Sequence, residues 1–167
     1  QPGYSCAYTP SLLPTYTFHW FINEQTNRLD GQVRYTGGSA WVAVGFPAVA
    51  GSMVGSTAVI GSSEGVNLYA LGGKFPGAVT LLDFSWQTLE GTSYTAANGV
   101  SVMSFRKRLN EDQFERPSDQ MVIEPDLQPT DLLFATGQSP DLSFHVYRQP
   151  ATIWLGYAHN TPAPQPP

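Results

Sequence analysis

The chain has 167 residues, enough for one domain with a substantial hydrophobic core. Hydrophobic residues make up 41% and charged residues only 13%, so strands and turns are expected rather than charged surface helices. The formal charge of −5 argues against a nucleic-acid-binding role, which needs a basic face to neutralise phosphates, and no apolar stretch approaches the length needed to cross a membrane as a helix.

The chain opens on Gln1-Pro2-Gly3, with no methionine and no charged-then-apolar leader, as expected of a mature secreted protein trimmed of its signal and equally of an arbitrary cut in a longer chain; the first reading is preferred. Cys6 is the single cysteine, which in an extracellular protein implies a partner elsewhere or a free thiol. Tyr16, Phe18, Trp20 and Ile22 alternate with Thr17, His19, Phe21 and Asn23, the period-two pattern of a strand. Asp30-Gly31 carries a hairpin-turn signal and predicts a strand over 32–36. Residues 40–46 are apolar on both faces, which places them in the middle of a sheet. Further strands are expected over 57–61, 66–71, 78–86, 100–108, 132–136, 142–147 and 151–156. Residues 110–129 are acidic and broken by Pro117, Pro125 and Pro129, and read as a long excursion with one helical turn at most. The end, 160–167, is N-T-P-A-P-Q-P-P, an extended linker toward a further domain, which leaves 1–159 as the folded unit. Short strands punctuated by turn residues about every ten positions indicate an all-β sandwich or barrel.

The motifs of common chemistries are missing. There is no G-x-G-x-x-G between a strand and a helix, no phosphate-binding G-x-x-x-x-G-K and no nucleophile-elbow G-x-S-x-G. One cysteine cannot form the C-x-x-C-H site of covalent haem attachment. His19, His145 and His159 are scattered, and a zinc site would require most of them to converge. Glu111, Asp112, Glu115, Asp119, Glu124 and Asp126 crowd the acidic excursion; they read as a solvated loop, against the alternative of a glycosidase carboxylate pair. Met53 stands apart, in Gly51-Ser52-Met53-Val54-Gly55 between two apolar segments. Core methionines sit among bulky neighbours, whereas these glycines open φ values closed to other residues and allow a flat ligand to approach. The residues alone leave two readings open, a turn with an incidental methionine or a ligand-facing loop.

The blocks Trp41-Val42-Ala43-Val44-Gly45-Phe46, Gly51-Ser52-Met53-Val54-Gly55-Ser56 and Ala58-Val59-Ile60-Gly61 resemble the DOMON family. So do Phe105-Arg106-Lys107-Arg108-Leu109, Leu133-Phe134-Ala135-Thr136-Gly137 and Phe144-His145-Val146-Tyr147-Arg148, in the same order and rough spacing over about residues 16–157. The resemblance implies an antiparallel, immunoglobulin-like β-sandwich with little helix. It further implies one non-covalent haem b held between a methionine and a histidine, which fall on Met53 and His145 here. Trp41, Phe46, Tyr69, Phe84, Phe144 and Tyr147 are the candidate lining residues. Met103 reads as core, Met121 matches no ligand position, His19 reads as a packed strand histidine and His159 as exposed. By resemblance the function is extracellular electron transfer without catalysis at iron, with a sugar dehydrogenase, a copper-dependent polysaccharide oxygenase or a membrane cytochrome as partner. Some family members are proposed to bind sugars without haem, so a carbohydrate-binding module is the alternative.

Overall fold

The structure, a computed structural model, describes residues 4, 6–110 and 123–156. Eleven strands form two antiparallel sheets packed as a sandwich, and among the described residues the only helix is two three-residue 3-10 turns, Pro76–Ala78 and Phe84–Trp86. The strands are β1 (Cys6–Tyr8), β2 (Tyr16–Asn23), β3 (Arg28–Tyr35), β4 (Val42–Phe46), β5 (Ser56–Ser62), β6 (Gly65–Leu71), β7 (Val79–Leu81), β8 (Glu90–Ala97), β9 (Val100–Arg108), β10 (Thr130–Thr136) and β11 (Tyr147–Ile153). One sheet runs β1-β2-β3-β9-β8 and the other β11-β10-β4-β5-β6-β7.

Period-two alternation builds the core. Tyr16, Phe18 and Trp20 of β2 and Met103 and Phe105 of β9 face Val42, Val44 and Phe46 of β4, Val59 of β5 and Leu132 and Phe134 of β10, all fully or almost fully buried. Buried hydroxyl and indole groups stitch the layers together, because a donor removed from water must find an acceptor. Tyr16 Oη donates to the Ala43 carbonyl at 2.7 Å, Trp20 Nε1 to the Leu155 carbonyl at 3.0 Å, and Tyr94 Oη to the Ala40 carbonyl at 2.8 Å. Lys107, inward-facing on β9, lies with its ammonium 5.4 Å from the centre of the Phe46 ring.

Several expectations hold. Residues 16–23, 57–61, 66–71, 100–108 and 132–136 are strands, and β4 lies mid-sheet between β10 and β5 with every residue buried. Others are corrected. The hairpin turn is at 24–27, where Thr26 N–H donates to Asn23 Oδ1 and Asn27 takes a positive φ, while Asp30-Gly31 runs inside β3. Asp30 pairs there with Arg106 across the strands, and Gly31 leaves room for the Phe105 ring, which a Cβ would strike. Residues 78–86 carry only the three-residue β7, the last residue of the first 3-10 turn and the whole of the second. Residues 142–146 are loop, and β11 starts at Tyr147, four residues before the expected 151. Its Pro150 is tolerated because β11 is an edge strand with no outer neighbour to receive an N–H. Strands β1 and β8 were not foreseen; β8 is mostly exposed and polar and so has no apolar alternation to betray it. Most of the acidic excursion, the Pro-rich tail, Met121 and His159 lie outside the described residues.

Candidate functional site

The outward face of a sandwich sheet ordinarily meets water and alternates to polar residues. Here the outward face of β10, β4 and β5 is apolar, and four of the six residues at its centre are alanine or glycine. The register sets two rows across it: Ala135, Ala43 and Ile60 side by side, then Leu133, Gly45 and Ala58. Three loops rise over this floor, 47–55 between β4 and β5, 72–78 between β6 and β7, and 137–146 between β10 and β11. Floor and loops enclose a cleft of about 710 Å³, a size ordinary for a small-molecule or cofactor site.

Met53 and His145 both line this cleft, on loops at opposite ends of the sheet. The reason is antiparallel pairing. Thr136 of β10 stands opposite Val42 and Leu133 opposite Gly45, so β10 ends where β4 begins. The loop after β4 therefore leaves one end of the floor and the loop after β10 leaves the other. Met53 is partly buried against the outward cluster of Trp41, Ala43, Ala58, Ile60, Tyr69 and Leu71. Gly51 and Gly55 take φ of 74° and 81°, the left-handed values expected of the Gly-framed loop. Ser56 N–H returns to the Met53 carbonyl at 3.2 Å, and Gly55 N–H reaches the Leu71 carbonyl at 2.9 Å, tying the loop to the end of β6. His145 is half-buried beside the Phe144 ring, its loop closed by Val146 N–H to the Thr136 carbonyl at 2.8 Å. Trp41 N–H donates to the Ser139 carbonyl at 2.8 Å and Ser63 Oγ bonds Asp141 at 2.6 Å, fastening the rest of that loop to the sheet.

Of the foreseen lining residues, Trp41 and Phe144 form part of the wall. Phe46 does not: an even step along β4 from Val42 and Val44, it points into the inter-sheet core. Tyr69 packs in the outward cluster but outside the wall, Phe84 is 92% exposed on its 3-10 turn, and Tyr147 is half-exposed on β11. Met103 is fully buried between the sheets, and His19 lies on the outward face of the other sheet with its ring 6.3 Å from Tyr4.

The wall was incompletely legible in the sequence. Ala50, Phe75, Val79, Leu142, Lys74 and Arg148 join it through loop folding and strand register, which no local pattern announces. Lys74 and Arg148 are its two permanent cations, and no carboxylate lines it. Trp41 Nε1 is buried in the wall without an acceptor among the described residues. Glu124 and Asp126, the described members of the acidic excursion, are not in the wall, which removes them as a carboxylate pair across this cleft. Among the described residues no three of His, Cys, Asp or Glu gather as metal ligands would.

No protein-family model matches the chain, and no curated protein matches it in sequence. In three dimensions it is similar to the cytochrome b domain of pyranose dehydrogenase from Coprinopsis cinerea, with a TM-score of 0.60 and 12% identity over 92% of this chain and 83% of that one. It is likewise similar to the cytochrome domain of cellobiose dehydrogenase from Myriococcum thermophilum, with a TM-score of 0.58 and 12% identity over 88% of this chain and 78% of that one. The chain thus shares its fold with DOMON-type cytochrome domains, as the ordered blocks of the sequence led us to expect.

Proposed function

We propose that this domain, built on the fold of those dehydrogenase cytochrome domains, is itself a b-type cytochrome that relays single electrons. The observation that carries the reading is the convergence of Met53 and His145, from opposite ends of the sheet, on one apolar cleft. The residues fit haem b in three respects. A thioether and an imidazole are a donor pair suited to haem iron. The floor of Ala43, Gly45, Ala58, Ile60, Leu133 and Ala135 is wholly apolar. The polar groups in the wall include two cations and an orphaned indole N–H but no carboxylate, which complements a ligand that is apolar in body and anionic at one edge.

Bound there, haem b would supply a one-electron carrier, with Met53 Sδ and a ring nitrogen of His145 as its iron ligands. Methionine is soft and neutral, favours the ferrous state and raises the reduction potential. With Met53 and His145 both holding the iron, oxygen or substrate would find no place on it, so the chemistry supplied would be electron transfer and not turnover. Residues of the three loops line the site together with the floor, and its open side leaves a path for an electron to enter or leave. The partner proposed is a redox domain or protein of the sugar-dehydrogenase kind, outside the cell; a copper-dependent polysaccharide oxygenase or a membrane cytochrome would meet the same chemical need.

The test is the visible spectrum of haem-reconstituted protein. Wild type is expected to show the sharp reduced bands of a low-spin b-type haem, and Met53→Ala and His145→Ala are each expected to lose them while keeping the β-rich circular-dichroism spectrum. Wild-type protein that stays colourless with haem, or variants that keep the low-spin bands, would overturn the assignment. Colourless protein that binds polysaccharides would instead favour a carbohydrate-binding module.

A further inference from the structure

The two cations of the cleft wall have no use in holding iron. Arg148 stands opposite Ala135 in the β10–β11 pairing, and residues directly opposite in an antiparallel pair project to the same face. The register therefore aims Arg148 over the floor row of Ala135, Ala43 and Ile60, in the half of the cleft nearer the His145 loop. Lys74 comes from the other half. Its loop follows β6, whose last residue Leu71 pairs with Ser56 at the Met53 end, and the loop is closed by Gly72 N–H to the Ala78 carbonyl at 2.8 Å. Both side chains line the cleft and both are exposed at its mouth. Neither makes an ion pair with a described residue, in contrast to Arg28 and Arg106, which are paired with Glu90 and Asp30. In a chain of net charge −5, two unpaired cations facing one apolar cleft that no carboxylate lines mark the place for an anionic ligand edge.

We propose that Lys74 and Arg148 hold the two carboxylates of the haem, one from each half of the cleft, and so set which edge of the group lies at the mouth. This rests on the haem reading above. Met53 and His145 would hold the iron without fixing which edge of the group meets solvent; a cation on either side would keep the charged edge at the mouth. Arg148 offers a planar fork that matches a carboxylate, and Lys74 a point charge on a flexible stem. The pair also adds positive potential beside the iron, which disfavours the more positive ferric state.

The experiment titrates apoprotein with haem b and with its dimethyl ester, which carries the same iron and ring but no carboxylates. Lys74→Gln and Arg148→Gln are each expected to weaken haem b binding about tenfold, the loss of one charge-assisted contact, and to lower the midpoint potential. Their affinity for the dimethyl ester should equal that of wild type, and Arg148→Lys should recover part of the loss. Variants that bind haem b as wild type does, or that lose haem b and ester alike, overturn this inference while leaving the iron site standing. Wild-type protein that takes up neither form overturns the haem reading and this inference with it. Both side chains are exposed, so melting curves of the apoproteins should coincide and exclude misfolding as the cause.

Discussion

A methyl group at Gly137 would overlap the indole of Trp41, so the absence of a side chain just after β10 is what makes room for Trp41 in the cleft wall. Gly137→Ala is expected to push the indole toward the cleft, costing about 1–3 kcal/mol as overpacking does and weakening haem uptake together with thermal stability. Melting and haem titration of the same preparation check it; unchanged values in both would show that the wall yields freely. Single residues were unevenly legible. The Gly-framed loop around Met53 was legible, because its glycines open backbone values closed to other residues and the structure has those values at Gly51 and Gly55, but only the resemblance made Met53 a ligand candidate. His145 was placed by resemblance, inside a segment that local pattern assigned to a strand and that is in fact a loop. Phe46 was misjudged as lining because hydrophobicity alone cannot tell the inward from the outward face of a strand that is apolar on both.

Elements decide where those residues meet. The floor of the cleft works because β10, β4 and β5 present Ala135, Ala43, Gly45 and Ala58 outward, where larger side chains would fill the space. Ala135→Leu is therefore expected to leave folding nearly intact, since the side chain enters a cleft and not the core, while lowering haem affinity tenfold or more. Leu132, three residues earlier on β10, points into the core and is fully buried, and the contrast between the strand's two faces is the control: Leu132→Ala should cost about 2–5 kcal/mol through cavity formation and still admit haem below its lowered melting temperature. If Ala135→Leu bound haem as wild type does, the floor would not be the contact surface. The central strands were readable from sequence because their apolar runs are long and β-branched. The edge strands were not. β8 is polar and largely exposed, and β11 contains a proline that pattern reading takes as a boundary although an unpaired edge accommodates it.

At the scale of the whole molecule the two sheets have separate duties, one carrying the cleft and the other a charged outer face with His19, Arg34, Arg28 and Arg106. Burial first, and then the neighbouring charge of Arg34, holds His19 below the ordinary histidine value. The unfolded chain therefore takes up this proton more readily than the folded one, and the contribution of His19 to stability is whole above about pH 6.5 and declines as pH falls through that value. Denaturation midpoints of wild type should fall relative to His19→Gln between about pH 8 and pH 5, and parallel curves would count against it. The effect belongs to the sheet away from the cleft, so the spectrum of bound haem should not follow it. Composition, turn spacing and two-faced apolar runs were sufficient to determine an all-β domain with β4 at the centre of a sheet, because these are local consequences of side-chain alternation and burial. Tertiary structure alone decided that Met53 and His145 line one cleft, since residues 92 positions apart in the chain are joined only through the β10–β4 register. It likewise decided that Lys74 and Arg148 attend them, because a loop's path and a strand's register are set by pairings that no single segment encodes.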